Sequence, residues 1–104
     1  MSLLLFKKEF ADAIRSGAKT TTVRRWDRPR VGVGRRAFAP GIGWLFIEAV
    51  DRIELKSLTD CDASNDGFGT ALEMVSRLTG LYPDQSDGKH WYRVRFRTDE
   101  LLHP

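Results

Sequence analysis

The sequence predicts a small α+β domain: five or six strands in a curled, mostly antiparallel sheet, with two or three helices covering its openings. Three features predict it. The chain has 104 residues, 41% of them apolar and 30% charged, which is one domain's length around one small core. Two stretches repeat apolar residues at helical spacing, and each meets a glycine. Several others are β-branched or alternate apolar with polar residues. There are no internal repeats, and a domain of this size hides roughly two-thirds of its unfolded surface, enough to fold without staples.

Residues 3–6 are short and apolar, fit for a buried strand. Phe6, Phe10, Ala13 and Ile14 then recur at helical spacing, with Lys7, Lys8, Glu9, Asp12 and Arg15 opposite, and Gly17 reads as a left-handed C-cap. Thr20, Thr21, Thr22 and Val23 disfavour helix and predict a strand over 20–26. A loop follows from Trp26 to Gly34, with one proline and two glycines. Strands come next near 35–39 and 44–50, separated by Pro40-Gly41-Ile42-Gly43, with Trp44 assigned to the core. Arg52 to Lys56 continues or pairs with the second. Thr59 or Asp60 caps a short helix ending near Gly67. Leu72, Val75 and Leu78 mark a second helix that Gly80 closes. In the last strand, 90–96, Tyr92, Val94 and Phe96 face one way and Trp91, Arg93 and Arg95 the other. Residues 99–104 are a loosely held tail.

The composition narrows the function. No run approaches the ~20 apolar residues of a membrane span, and the first six residues are too short for a signal peptide's apolar region. The expectation is a soluble, cytoplasmic domain. Cys61 is the one cysteine, read as a buried or neutral thiol; His90 and His103 have no evident partner, so neither metal nor cofactor is expected. The net charge of +3 is unevenly spread: residues 1–36 carry ten Lys/Arg against three Asp/Glu, and residues 37–104 carry seven against eleven. The basic part is a candidate for holding phosphate or another anion; it is equally a set of solvated strand and loop positions.

The densest chemistry lies in Gly17-Ala18-Lys19-Thr20-Thr21-Thr22-Val23-Arg24-Arg25. It is not a phosphate-binding P-loop, which runs from strand to helix with a different glycine spacing. The segment resembles the GxKxxxxR signature of ASCH domains, which follows a short N-terminal helix. Val31-Gly32, Leu58-Thr59, Asp66-Gly67-Phe68, Leu81-Tyr82-Pro83 and Val94-Arg95-Phe96 agree with that family in order and spacing. The resemblance covers Leu5 to Phe96. It implies a PUA-like β-barrel with flanking helices and a cleft associated with RNA. One branch of small bacterial ASCH proteins hydrolyses N4-acetylcytidine; by that resemblance Lys19, Thr22 and Glu73 are the site residues. Where the family has an acidic residue after the Val-Gly turn this chain has Val33, which makes the cleft mouth more basic and puts substrate identity in question.

Metal-free amide hydrolysis needs a nucleophile, a base and a donor for the developing oxyanion. Thr22 suits the first role, and Lys19 the second if its pKa is lowered. Glu73 would orient the lysine or protonate the leaving amine, and Arg24 would hold the substrate or the oxyanion. Two local patterns compete. In a regular strand Lys19 and Thr22 face opposite ways, so the lysine must lie in the turn or a bulge must intervene. Thr70-Ala71-Leu72-Glu73 is also a capping-box pattern that would occupy Glu73. A binding surface for a modified nucleoside or single-stranded RNA draws on Arg24, Arg25, Trp26, Arg28 and Arg35, with Arg30 and Arg36 beside them; Trp26 and Trp91 can instead be packing residues. The alternatives to the hydrolase are a non-catalytic RNA-binding module and a single-strand ribonuclease.

Overall fold

The computed structural model describes residues 2–99. Along the chain come a 3-10 turn (Lys8–Phe10), α1 (Ala11–Ser16), β1 (Thr21–Trp26), β2 (Arg36–Ala39) and β3 (Gly43–Ile53). A second 3-10 turn (Leu55–Ser57), α2 (Asp60–Asp66), α3 (Ala71–Leu81) and β4 (His90–Thr98) follow. The strands form one curled antiparallel sheet in the order β1-β4-β3-β2, which leaves β1 and β2 as its edges.

The α+β class holds, with four strands among the described residues rather than five or six. Residues 3–6 make only an isolated bridge between Leu3 and Phe38. Leu4 sinks into the core there, and the chain then leaves the sheet to carry Phe6 and Phe10 over it. Arg52 does not begin a new strand, because β3 stays paired with β4 as far as Ile53 opposite Trp91. Gly80 does not stop α3, which runs on to Leu81 and is capped by the Tyr82 N–H on the Leu78 carbonyl at 3.0 Å. The tail expected over 99–104 lies outside the described residues apart from Asp99.

Each face of the sheet has its own core. Leu45 and Ile47 of β3, Val94 and Phe96 of β4, and Ala37 and Ala39 of β2 pack with Leu4, Ile14 and Val31 on one face. Val23 of β1 and Trp91 of β4 point the other way and meet Leu58, Ala63, Met74 and Leu78 from α2, α3 and the loop before them. The alternation predicted for β4 is therefore right, and its second face is apolar only where the helices cover it. In β3 the alternation changes phase. A bulge between Ile47 and Ala49 leaves Glu48 unmatched in the ladder, so Val50 rather than Ala49 joins Ile47 on the first core. Glu48 reaches Arg95 at 3.7 Å and Arg97 at 3.6 Å.

Trp44 is half-buried on the outer side of β3 while its neighbour Leu45 is fully buried, so strand alternation overrides the expectation that this indole is core. Cys61, in the first turn of α2, is exposed rather than buried.

Candidate active site

α1 ends where Gly17 adopts φ 84°, a left-handed conformation that favours glycine. The chain reverses, Lys19 N–H bonds back to the Ala13 carbonyl at 2.9 Å, and β1 begins at Thr21. Lys19 thus lies in the turn before the strand. That placement lets it border the same cavity as Thr22, which strict strand alternation would forbid.

Lys19 is only 3% exposed. Its Nζ donates to the Thr21 carbonyl at 2.8 Å, to the Asp66 carbonyl, and to Asp66 Oδ1 at 2.8 Å. The second carboxylate oxygen, Oδ2, accepts from Thr21 Oγ1 at 3.0 Å. Phe10 lies with its ring centroid 4.7 Å from Nζ. Asp66 is the last residue of α2, so the ammonium also sits at the negative end of that helix. Gly67 follows at φ 94°. That left-handed conformation is what asks for glycine, since a Cβ there would make only ordinary contacts, 3.4 Å from Phe10 Cε1 and 3.6 Å from Lys19 Cδ.

Burial works on both partners of this ion pair. It pushes Lys19 below the ordinary lysine value, against the pull of Asp66 and helped by Arg24. It pushes Asp66 above the ordinary carboxylate value, against the pull of Lys19 and the hydrogen bond from Thr21. Both shifts have the same cause, because burial disfavours charge on either partner.

Thr22 is buried, and its Oγ1 accepts a hydrogen bond from Arg24 Nε at 3.1 Å. Arg24 Nη2 donates to the Leu5 carbonyl, and the guanidinium carbon lies 5.0 Å from the Phe6 ring centroid. Burial lowers the Arg24 pKa from its ordinary value. Nη1 makes no hydrogen bond among the described residues. Lys19, Thr22, Arg24 and Asp66 border a cavity of about 260 Å³ against the β1 edge, walled by Phe6, Phe10, Phe68 and Tyr82. Flat apolar walls with a few converging polar groups are the usual make-up of a small-ligand site, and this volume falls just below the ~300–1,000 Å³ range.

The other expected residues lie elsewhere. Glu73 is exposed in the first turn of α3 and is not among the residues that line the cavity. Its N–H bonds to Thr70 Oγ1 at 3.1 Å, and its carboxylate makes no return bond, so the capping box is half formed. The carboxylate on the lysine is Asp66, and its hydrogen-bonded partner is Thr21. Arg25 is held by Asp87 at 2.9 and 3.3 Å and stacks 4.8 Å from the Trp91 ring centroid, away from the cavity. Trp26 is packing: it lies 6.0 Å from the Tyr92 ring and against the first core. Arg28 and Arg35 are exposed in or beside the loop that precedes β2. The signal for Asp66 was in the sequence, an acidic residue directly before a helix-ending glycine; what it touches is set by residues 47 positions away. Among the described residues no three of His, Cys, Asp or Glu gather as a metal site would need.

No protein-family model matches the chain, and no curated protein does. Solved structures match its fold. The hypothetical protein PH0355 aligns with TM-score 0.75 and 15% identity over 89% of this chain and 94% of its own. The S128A mutant of ZmASCH from Zymomonas mobilis aligns with TM-score 0.66 and 17% identity over 92% of this chain and 66% of its own. The ASCH domain from Lactobacillus crispatus JV V101 gives 0.60 and 15%, over 84% and 68%. At these identities the likeness is one of fold: this chain has the PUA-like architecture of ASCH domains.

Proposed function

We propose that this ASCH-type fold carries an amidohydrolase acting on an acylated cytidine-type nucleoside, with N4-acetylcytidine as the first substrate to try. One observation carries the reading: Lys19, Thr22 and Arg24 converge with a buried carboxylate on one small cavity with aromatic walls. A flat heterocycle suits such walls, and the polar end holds the groups that acyl transfer needs.

In this reading Thr22 Oγ1 attacks the acyl carbon. The hydrogen bond from Arg24 Nε favours the alkoxide, and Lys19, whose pKa burial lowers, takes the hydroxyl proton. Arg24 Nη1 supplies a donor for the oxyanion. The tetrahedral intermediate collapses by breaking the bond to N4, with the proton returned from Lys19 to the departing amine. Water then hydrolyses the threonyl ester and restores the hydroxyl. Asp66 takes the orienting role first given to Glu73, because it is the carboxylate within 2.8 Å of the lysine.

The test follows the near-ultraviolet absorbance of N4-acetylcytidine mixed with the protein. Turnover by the wild type and none by Thr22→Ala is the expected result. An inert protein at high concentration overturns the reading. Cleavage of unmodified single strands, with acetylcytidine untouched, replaces it with the ribonuclease.

A further inference from the structure

The cavity wraps around an open strand edge rather than lying on one face of the sheet. Thr22 and Arg24 line it from one side of β1, where Arg24 meets Phe6. Leu78 of α3 lines it from the other side, where the Val23 side chain joins the core under the helices. Val23 itself stands between Thr22 and Arg24 and borders the cavity too. The ladder fixes where its backbone points. In the pairing of β1 with β4, Thr22 is opposite Val94 and Arg24 opposite Tyr92. The Phe96 N–H bonds the Thr20 carbonyl at 2.9 Å, and antiparallel pairing repeats at every second residue. Residues 20, 22 and 24 therefore bond to β4, while residues 21, 23 and 25 turn their N–H and C=O groups outward. The Thr21 carbonyl keeps to this phase by accepting Lys19 Nζ. Val23 has no such partner: its N–H and C=O make no hydrogen bond among the described residues. It is only 6% exposed, so what these groups face is the cavity. Backbone groups so enclosed need partners.

We infer that the Val23 backbone reads the edge of the bound ring, its N–H donating to a ring nitrogen and its C=O accepting from the N–H next to that nitrogen. Both groups leave one residue on the same side, so they present a donor and an acceptor side by side. A ring with an acceptor nitrogen beside an exocyclic N–H meets both at once, with its faces against apolar walls. The N3 and N4–H edge of a cytosine, acylated or not, is such a pair. An added peptide strand would use the same backbone groups. The cavity favours the ring: it is about 260 Å³ and is closed by Phe6, packed on one core, and Phe68, packed on the other. This recognition belongs to the proposed function and rests on it only for the choice of ring. The side chains of Lys19, Thr22 and Arg24 serve the reaction there, whereas here the main chain between them selects the substrate.

The test titrates the intact, isotope-labelled protein with cytidine, which has both ring groups and no acyl bond, so its result is separate from turnover. At saturation the Val23 amide proton should move downfield and exchange more slowly with solvent. The 3-deaza analogue of cytidine, with carbon in place of N3, should bind about tenfold more weakly and leave that amide where it was. Val23→Pro removes the N–H at an edge position where no ladder bond is lost, and should bind the two ligands alike. Equal affinities in the wild type overturn the inference. So does a Val23 amide unmoved at saturation, and so does the absence of saturable binding at millimolar cytidine. The two readings fail separately. Cytidine held through Val23, with N4-acetylcytidine left intact, removes the hydrolase and keeps the recognition. Turnover of N4-acetylcytidine and of its 3-deaza analogue at equal kcat/KM does the reverse.

Discussion

The two edges of the sheet use positive charge in opposite ways. At the β1 edge Lys19 and Arg24 are drawn inside: Lys19 has Asp66 beside it, and both are tied to backbone carbonyls, so each points in one direction. At the β2 edge Arg35 and Arg36 are exposed, with no acid within salt-bridge reach among the described residues. A cation fixed in a low-dielectric setting orients and polarises a neighbouring group, whereas an exposed one attracts from a distance and fades as salt rises. Arginine density in a sequence therefore says little about role. Arg24 and Arg25 are adjacent in β1 and face opposite sides of it, one bordering the cavity and the other locked to Asp87.

The contrast can be broken most sharply at Thr22. Thr22→Ala should cut turnover of the acylated nucleoside by on the order of 10³-fold or more while thermal unfolding stays close to wild type; equal rates in a stopped assay would remove the nucleophile from the mechanism. Next comes the buried pair. Asp66→Ala strands an ammonium in the interior and should cost about 3–5 kcal/mol in urea unfolding. Arg36→Ala on the other edge should stay within about 0.5 kcal/mol. Comparable losses would mean that the edges do not differ as described.

A pH profile sharpens the same comparison. If Lys19 is the base, the rate rises as it loses its proton, with an apparent pKa below the ordinary ~10.4 because burial lowers it. Asp66 raises the Lys19 pKa by charge and by hydrogen bond. Asp66→Asn removes the charge, so the rising limb of its residual activity should move to lower pH. A limb that moves to higher pH would exclude Lys19 as the titrating group. The smallest effect is expected at Glu73. Glu73→Gln keeps the Thr70 bond to its N–H and should leave rate and pH profile within twofold, a result that kinetics on the folded variant can check.

Much of the frame was legible in advance because local chemistry dictates it. Gly17 ends α1, the threonine run starts β1, Thr59, one of the two expected caps, caps α2, and β4 alternates as its residues demand. What was misread depended on contacts across the chain. Trp44 was assigned inward because it is large and apolar, and the pairing of β3 with its neighbours turned it outward. Lys19, Thr22 and Arg24 were legible as a group because they lie within six residues of one another. Their carboxylate was not: Glu73 and Asp66 both lie near helix ends in the same half of the chain, and only the packing of α2 beside the turn after α1 decides which one meets the lysine.

The lysine has one further effect, on how the protein behaves toward copies of itself. β1 ends the sheet, and an edge strand offers unpaired backbone groups to any other chain that drifts past. Along β1 the carbonyls alternate in direction: that of Thr20 accepts the Phe96 N–H from β4, and that of Thr21, turned the other way, accepts Lys19 Nζ. The Thr20 N–H is in turn occupied by the Asn65 carbonyl at 2.8 Å. The start of the strand is thereby closed to intermolecular sheet growth by the Lys19 ammonium group.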